Sequence, residues 1–303
     1  MTRFRLARAA RHSQMGFLRG HDDALASEWL AQVSTGQGLE VFGCDHQLIV
    51  RAMAWDSRYF GVPIYRIEFA DRIKGQVDAR GILAGIKEMH ATLSSRHAAA
   101  YVFADVPSED TQLLQALGLG TFRLIETRLA YVHREPALFV DARAGARLAT
   151  VEDIPALRHA ASEARNEYDR YHADGFFDVA RADAYLADYA EACMGGGMAD
   201  LVVVPDDGGP ASAFVAGSPC VARHGDEVIG RLALAAVAPE RQGRYRSLNA
   251  AFLGWMAERG ATQVVNTTQS TNRAVIHVCE QLGYRFGRAS HVFSAVIEKR
   301  GAA

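Results

Sequence analysis

The sequence predicts an α/β chain built on a mixed sheet, and three observations carry that prediction. Short runs rich in β-branched and aromatic residues (LEVFG from Leu39, LIVRAMAW from Leu48, VPIYRIEFA from Val62) are separated by polar turns, the pattern of strands. Elsewhere apolar residues recur at helical spacing: Ile82, Ile86 and Met89 in one segment; Leu248, Ala251, Phe252, Trp255 and Met256 in another. The two kinds of segment then alternate, β-α-β-α-β in the first part of the chain and α-α-β-β-β-α-β-α-β in the second.

In order, residues 79–95 form a helix, AAAYVFADV from Ala98 a buried strand, residues 109–117 a short helix and FRLIETRLAYV from Phe122 a strand. Between Val132 and Arg147 the text HREPALFVDARAGAR mixes Pro, Gly, Ala and charge. That is the composition of a linker with room for one short strand, and it divides the chain into domains of residues 1–140 and 141–303. Thr150 followed by Asp153 reads as a capping box with Asp in place of Glu, opening a helix. A second helix spans about Val179–Cys193 and stops at Gly195-Gly196-Gly197. Three strands follow: ADLVVV, ASAFVAG continuing to Val221, and EVIGRLALAAV, joined by turns containing DDGG and HGD. After PERQGRYRSLNAAF (Pro239–Phe252) come the Trp255 helix ending at Gly260, the strand TQVVNTT, a helix striped by Val275, Val278, Cys279 and Leu282, and the strand FGRASHVFSAVI.

Over 303 residues, 49% hydrophobic and 22% charged, the composition is that of a globular chain. A net charge of −2 provides no broad basic footprint for nucleic acid or a membrane surface, so any anion site is local. Cys44, Cys193, Cys220 and Cys279 lack metal-ligand spacing, and the basic N-terminal stretch MTRFRLARAARHSQMGFL lacks a continuous apolar core. No apolar run approaches the roughly 18–20 residues that a membrane span needs. The expectation is a soluble, cytoplasmic protein with no metal and no nucleic-acid or membrane partner; a homodimer is left open.

PERQGRYRS sits between a strand and a helix, where backbone N–H groups and the positive end of a helix dipole converge on one point. Such a point suits a phosphate. Gly243 is the loop's only glycine, flanked by Arg241, Arg244 and Arg246. Neither GK[ST] nor GxGxxG is present, which sets aside nucleoside triphosphate and dinucleotide loops.

The neighbouring text is more specific. Val237-Ala238-Pro239, the loop Gln242–Ser247, Gly260, the following strand, Asn272 and Leu282-Gly283-Tyr284 lie in register over about 50 residues and together resemble the cofactor half of the GNAT superfamily of acyl-CoA-dependent N-acetyltransferases. WDSRYFGVPIYRIEF, DRYHAD followed by ADAYLADY, and TTQSTN are similar to the branch of TDP-fucosamine acetyltransferase. The resemblance implies a GNAT acetyltransferase fold preceded by a truncated GNAT-like N-terminal domain. It implies an acyl-CoA-dependent N-acyltransferase with acetyl-CoA or another acyl-CoA as cosubstrate, acetylating the amine of a small-molecule acceptor such as a nucleotide-linked amino sugar. An amino acid, an antibiotic or a biosynthetic intermediate as acceptor, an acyl-carrier protein as donor, and a non-catalytic CoA-binding or sensor protein stand as alternatives.

By the same resemblance, the loop Gln242, Gly243, Arg244, Tyr245, Arg246 and Ser247 lines the CoA pyrophosphate, chiefly through amides. Tyr245 and Ser247 stand where that family has glycine or alanine. The strand end Leu234–Val237, with Ala235 and Ala236, pairs with the pantetheine and points an N–H at the thioester oxygen. Asn272 contacts the pantetheine, caps its helix, or does both. Seven residues beyond Asn272, where the family often has a thiolate-protonating Tyr, this chain has Cys279, which serves as acid or as packing; His277 is the other candidate. His172, with Asp174 in DRYHAD, is the candidate for the amine proton, because histidine titrates near neutrality.

Overall fold

The computed structural model describes residues 17, 18, 38–164 and 166–299. Its chain divides into two units, Met1–Arg128 with Arg288–Ala303, and Leu129–Gly287. Among the described residues, no helix is long and apolar enough to cross a membrane.

In the first unit, β1 (Leu39–Phe42), β2 (His46–Ala52), β3 (Ile64–Arg72), β4 (Ala99–Pro107) and the end of β11 (Arg285–Glu298) lie in that order. Only the β3–β4 pair is parallel, and α2 (Ala79–Arg96) makes the crossover between those strands. Its stripe of Ile82, Ile86, Met89 and Leu93 is buried with Val50, Ile67, Val102 and Ala104, the residues that β2 to β4 turn toward it. Asp78 caps α2 by accepting from the Gly81 N–H at 2.9 Å, and Asp110 caps α3 (Thr111–Leu119) through the Leu113 N–H at 3.1 Å. Capping by Asp110 places that helix two residues later than the sequence spacing suggests.

One element departs from the sequence pattern. The run LIVRAMAW reads as a strand through Trp55, but β2 ends at Ala52 and Ala54–Phe60 forms a short helix, α1. Local bonds offset the lost ladder: the Gly61 N–H closes the helix on Ser57 O at 3.0 Å, and the Ser57 hydroxyl accepts from the Ile64 N–H at 2.8 Å.

The second unit contains the end of β5 (Arg123–His133), a 3-10 run (Pro136–Gly145), β6 (Ala146–Leu148), α4 (Ile154–Glu163), α5 (Arg170–Ala173), α6 (Val179–Met194), β7 (Leu201–Pro205), β8 (Ala213–His224), β9 (Glu227–Val237), α7 (Tyr245–Glu258), β10 (Gln263–Gln269) and α8 (Arg273–Gln281). Its strand order is β5-β10-β9-β8-β7-β6; β6 to β9 are antiparallel neighbours and β9–β10 is parallel. The mixed sheet predicted from the element order is therefore present. Period-two alternation sorts its side chains: Val202, Val204, Phe214 and Ala216 pack with α4 and α6, while Val203, Val215, Leu232 and Val264 pack with α7 and α8.

The Thr150–Asp153 capping box forms as its spacing predicts. Arg147 also grips the Asp153 carboxylate at 2.7 and 2.9 Å, and this pairing, added to by the Thr150 N–H and opposed by burial, holds it at about 2.

Residues 133–147, with a linker's composition, instead hold the 3-10 run and β6. The run lies along α7, with the Arg143 guanidinium 5.1 Å from the Trp255 ring centroid and paired with Glu258. Burial on α7 extends beyond one stripe, with Asn249, Leu253 and Gly254 covered along with Leu248, Phe252 and Met256, and the run accounts for Gly254. At Gly254 an added Cβ would fall 2.3 Å from the Phe139 carbonyl oxygen. Gly254→Ala should destabilise the protein by about 1–3 kcal/mol through overpacking. Chemical denaturation checks this, and an unchanged midpoint would show that the 3-10 run does not pack on α7 in solution.

Candidate functional site

The site begins with a bulge. Across β8 and β9, Ala216 faces Leu234 while the next residue, Gly217, faces Leu232, so Ala233 is an extra residue on β9. On its other side, β9 pairs with β10 for three residues only, Ile229 with Gln263, Gly230 with Val264 and Arg231 with Val265. Both strands continue, to Val237 and Gln269, without pairing further with each other, and among the described residues no other strand takes that side of β9. Leu232–Val237, which contains the candidate residues Ala235, Ala236 and Val237, is thus held by β8 on one side and presents an open backbone edge on the other.

Where that edge ends, the Ala238 N–H bonds Ser212 O at 2.9 Å, Pro239–Arg241 makes one 3-10 turn and α7 starts at Tyr245. Gly243 has φ +90°, a conformation that side chains with a Cβ rarely adopt, and the space beside its Cα is open. The first α-helical bond is Leu248 N–H to Arg244 O at 3.1 Å. Among the described residues, no group accepts from the N–H of Gly243, Tyr245, Arg246 or Ser247. Arg244, whose amide the sequence places with these donors, differs: its N–H closes the turn on Arg241 O at 3.2 Å. Gln242 is exposed beside it.

The loop's arginines are less available than the sequence suggests. Arg241 and Arg244 reach the same oxygen of Asp207, at 2.8 and 3.0 Å, leaving Arg246 exposed. The Gly209 amide holds the Asp207 carboxyl below its usual value, helped by the two guanidinium charges and opposed by desolvation.

Tyr245 turns its side chain inward. Its hydroxyl accepts from Asn249 Nδ2 at 3.1 Å and from Asn266 Nδ2 at 3.2 Å; the Tyr284 hydroxyl donates to Asn249 Oδ1 at 2.9 Å, and Asn266 Nδ2 lies 3.3 Å from Cys279 Sγ. Asn249, Asn266, Cys279 and Tyr284 are all buried. Burial pushes the Cys279 thiol up to about 12 and raises both phenols, so all three groups stay protonated at neutral pH. The sequence shows this network only as two asparagines among apolar neighbours, Asn249 within the α7 pattern and Asn266 after Val264-Val265.

The other candidates lie apart from that network. Asn272 caps α8, accepting from the Val275 N–H at 3.2 Å. His277 is exposed about 200° around α8 from Cys279 and bonds Gln281 at 2.8 Å. His172, with its side chain only 3% exposed, has both ring nitrogens engaged, Nδ1 to Asp169 at 2.8 Å and Nε2 to Asp183 at 3.0 Å. Burial opposes its charge, but the two carboxylates outweigh that and raise its pKa, and the ring clamps the start of α5 to α6 through Asp169 and Asp183. Asp174 is buried at the end of α5.

No protein-family model and no curated protein matches the sequence. Solved structures match its fold. A GCN5-related N-acetyltransferase from Sphaerobacter thermophilus is 14% identical, with 96% of this chain and 91% of that one covered at a TM-score of 0.59. One from Kribbella flavida is 15% identical, with 88% and 93% covered at 0.56. A tandem GNAT protein from the clavulanic acid biosynthesis pathway is 14% identical, with 85% and 80% covered at 0.51. The chain has the mixed α/β fold of these GNAT proteins.

Native alkylation at mildly alkaline pH should modify the exposed Cys44 and Cys220 and spare Cys193 and Cys279, whose thiols burial pushes up to about 12. Peptide mass spectrometry reads the result, and rapid Cys279 labelling would contradict its burial. The His172 clamp has its own signature. Its folded pKa is raised above the unfolded value of about 6.5, so its stabilisation is complete below that pH and fades as pH rises through the folded value. The Tm advantage of wild type over His172→Gln should shrink over that window; a pH-independent difference would refute the clamp.

Proposed function

We propose that the chain is a GNAT-type, acyl-CoA-dependent N-acyltransferase acting on the amine of a small-molecule acceptor. The observation that carries this proposal is the junction of the open β9 edge with the turn whose N–H groups lack acceptors. An extended, amide-bearing pantetheine is the kind of chain that adds to an open strand edge, here Leu232–Val237. A pyrophosphate suits the N–H groups of Gly243, Tyr245, Arg246 and Ser247 at the positive end of α7, with Gln242 and the exposed Arg246 side chain beside it. Asn272, already a cap, would use its remaining polar capacity on the pantetheine.

In the reaction, the acceptor nitrogen bonds to the thioester carbon, the carbon–sulfur bond breaks and the sulfur leaves as thiolate. The nitrogen sheds a proton and the thiolate takes one up. Of the three side chains considered for those transfers, His172 has both ring nitrogens on carboxylates, Cys279 is a buried thiol and His277 faces solvent, which favours a reading without a protein acid or base. Solvent then carries the protons. The protein contributes positioning and an N–H of Leu234–Val237 for the developing oxyanion. A nucleotide-linked amino sugar is the acceptor favoured by the resemblance of WDSRYFGVPIYRIEF and DRYHAD to the TDP-fucosamine branch. The absence of a free acid among these three candidates also favours a second reading, a CoA-binding protein without turnover.

Calorimetry with CoA and release of free thiol from acetyl-CoA over a panel of amines separate the two readings. Binding with turnover supports the enzyme and binding without turnover on any amine supports the second reading. No binding of CoA defeats both. If acetyl-CoA fails while an acyl-carrier protein donates, the donor assignment is wrong. Gly243→Val, strained at φ +90°, should weaken CoA binding at least about tenfold, and unchanged affinity would show that the loop is misassigned.

A further inference from the structure

The sequence presents Tyr245 as a flaw, a bulky residue where the resembling family has glycine. Its placement gives it a different role. Tyr245 is the first residue of α7, immediately before the unpaired amides of Arg246 and Ser247, and its side chain runs into the core instead of into solvent. There its hydroxyl meets one asparagine from its own helix and one from β10. Asn249 is held in turn by Tyr284, and Asn266 contacts Cys279 on α8. Buried polar groups of this kind favour the one arrangement in which each is satisfied, so the network resists sliding or fraying of any member.

The first turn of a helix is otherwise its weakest part. Its amides have no intrahelical acceptors, and Arg244, at the cap position, makes no side-chain cap hydrogen bond. We propose that Tyr245 is a positioning residue, a buried pin that fixes the first turn of α7 so that its free amides converge on the pyrophosphate of the acyl donor. Asn249 and Asn266 are the two halves of its socket. The pin does the work that a glycine-rich loop does elsewhere by close backbone approach: it fixes where the donors point. This inference rests on the acyl-CoA reading above.

The test compares full-length wild type with Tyr245→Phe, which keeps the ring and removes only the hydroxyl. Two measurements are made well below both melting temperatures. Amide hydrogen exchange without ligand follows Leu248, donor of the first α-helical bond, against the β7 amides as an internal reference. Calorimetry gives the affinity for CoA. Leu248 exchange should accelerate and the Kd for CoA rise, each about tenfold, with β7 exchange unchanged, as expected for losing the two hydrogen bonds that the hydroxyl accepts. A purely structural tyrosine would lower Tm and leave both quantities unchanged, which overturns the proposal. If Tyr245→Phe does not fold, Asn266→Ser loosens the socket and should move both quantities the same way, about threefold; no movement overturns the pin. Wild type that fails to bind CoA defeats the acyl-CoA reading and with it the pin's proposed purpose, whereas wild-type binding equalled by the variant defeats the pin alone.

Discussion

Two parallel strands that pair for three residues and then part leave backbone N–H and C=O groups unsatisfied along one edge, and the rest of the second unit is arranged around that edge. The bulge at Ala233 disturbs the ladder just past the last β9–β10 pair, where extra twist turns β9 away. An open edge invites pairing with another chain, and here it is short and ends in a turn that leads to a helix. The same edge that is a liability in a bare sheet becomes, on the proposed function, the surface that receives the donor.

A strand edge and a helix terminus work together only if the turn between them is fixed. Gly243 provides the backbone conformation, Asp207 ties down two of the arginines, and the Tyr245 network holds the helix start from beneath. Each is a polar device inside or beside an apolar core. Asn249 and Asn266 are fully enclosed, and leaving either unsatisfied would cost about 1–3 kcal/mol. That cost makes the arrangement specific, because alternative packings of α7 against β10 would leave those amides without partners.

Two of the titratable candidates, His172 and Cys279, are tied into the structure around them. His172 lies between two carboxylates as a clamp, and Cys279 is a thiol kept protonated by burial. A direct attack of an amine on a thioester can proceed on orientation and oxyanion contact, with solvent handling the protons. On that view the site needs rigidity above all, and rigidity is what the polar network and the 3-10 brace along α7 supply.

Most of the order of elements, the Thr150 capping box and the strand–turn–helix at PERQGRYRS were legible in the sequence, because each depends on neighbours a few residues apart. The helix at Ala54–Phe60 was hidden by β-favouring letters although its bonds through Ser57 are local, and the brace at Pro136–Gly145 was hidden by a linker's composition because its partners, Trp255 and Glu258, lie far along the chain. The same holds within the site. Gly243 and its loop could be found from local spacing. The roles of Tyr245, Asn249, Asn266 and Asp207 could not, since their partners come from other elements and a polar side chain shows its worth only once its acceptor is known. Local letters determined most of the elements and where the strand-to-helix turn around Gly243 lies. Tertiary structure decided which N–H groups of the turn lack acceptors among the described residues, which arginines are paired with Asp207 and which tyrosine turns into the core, because hydrogen bonding and burial depend on distances that a linear sequence does not contain.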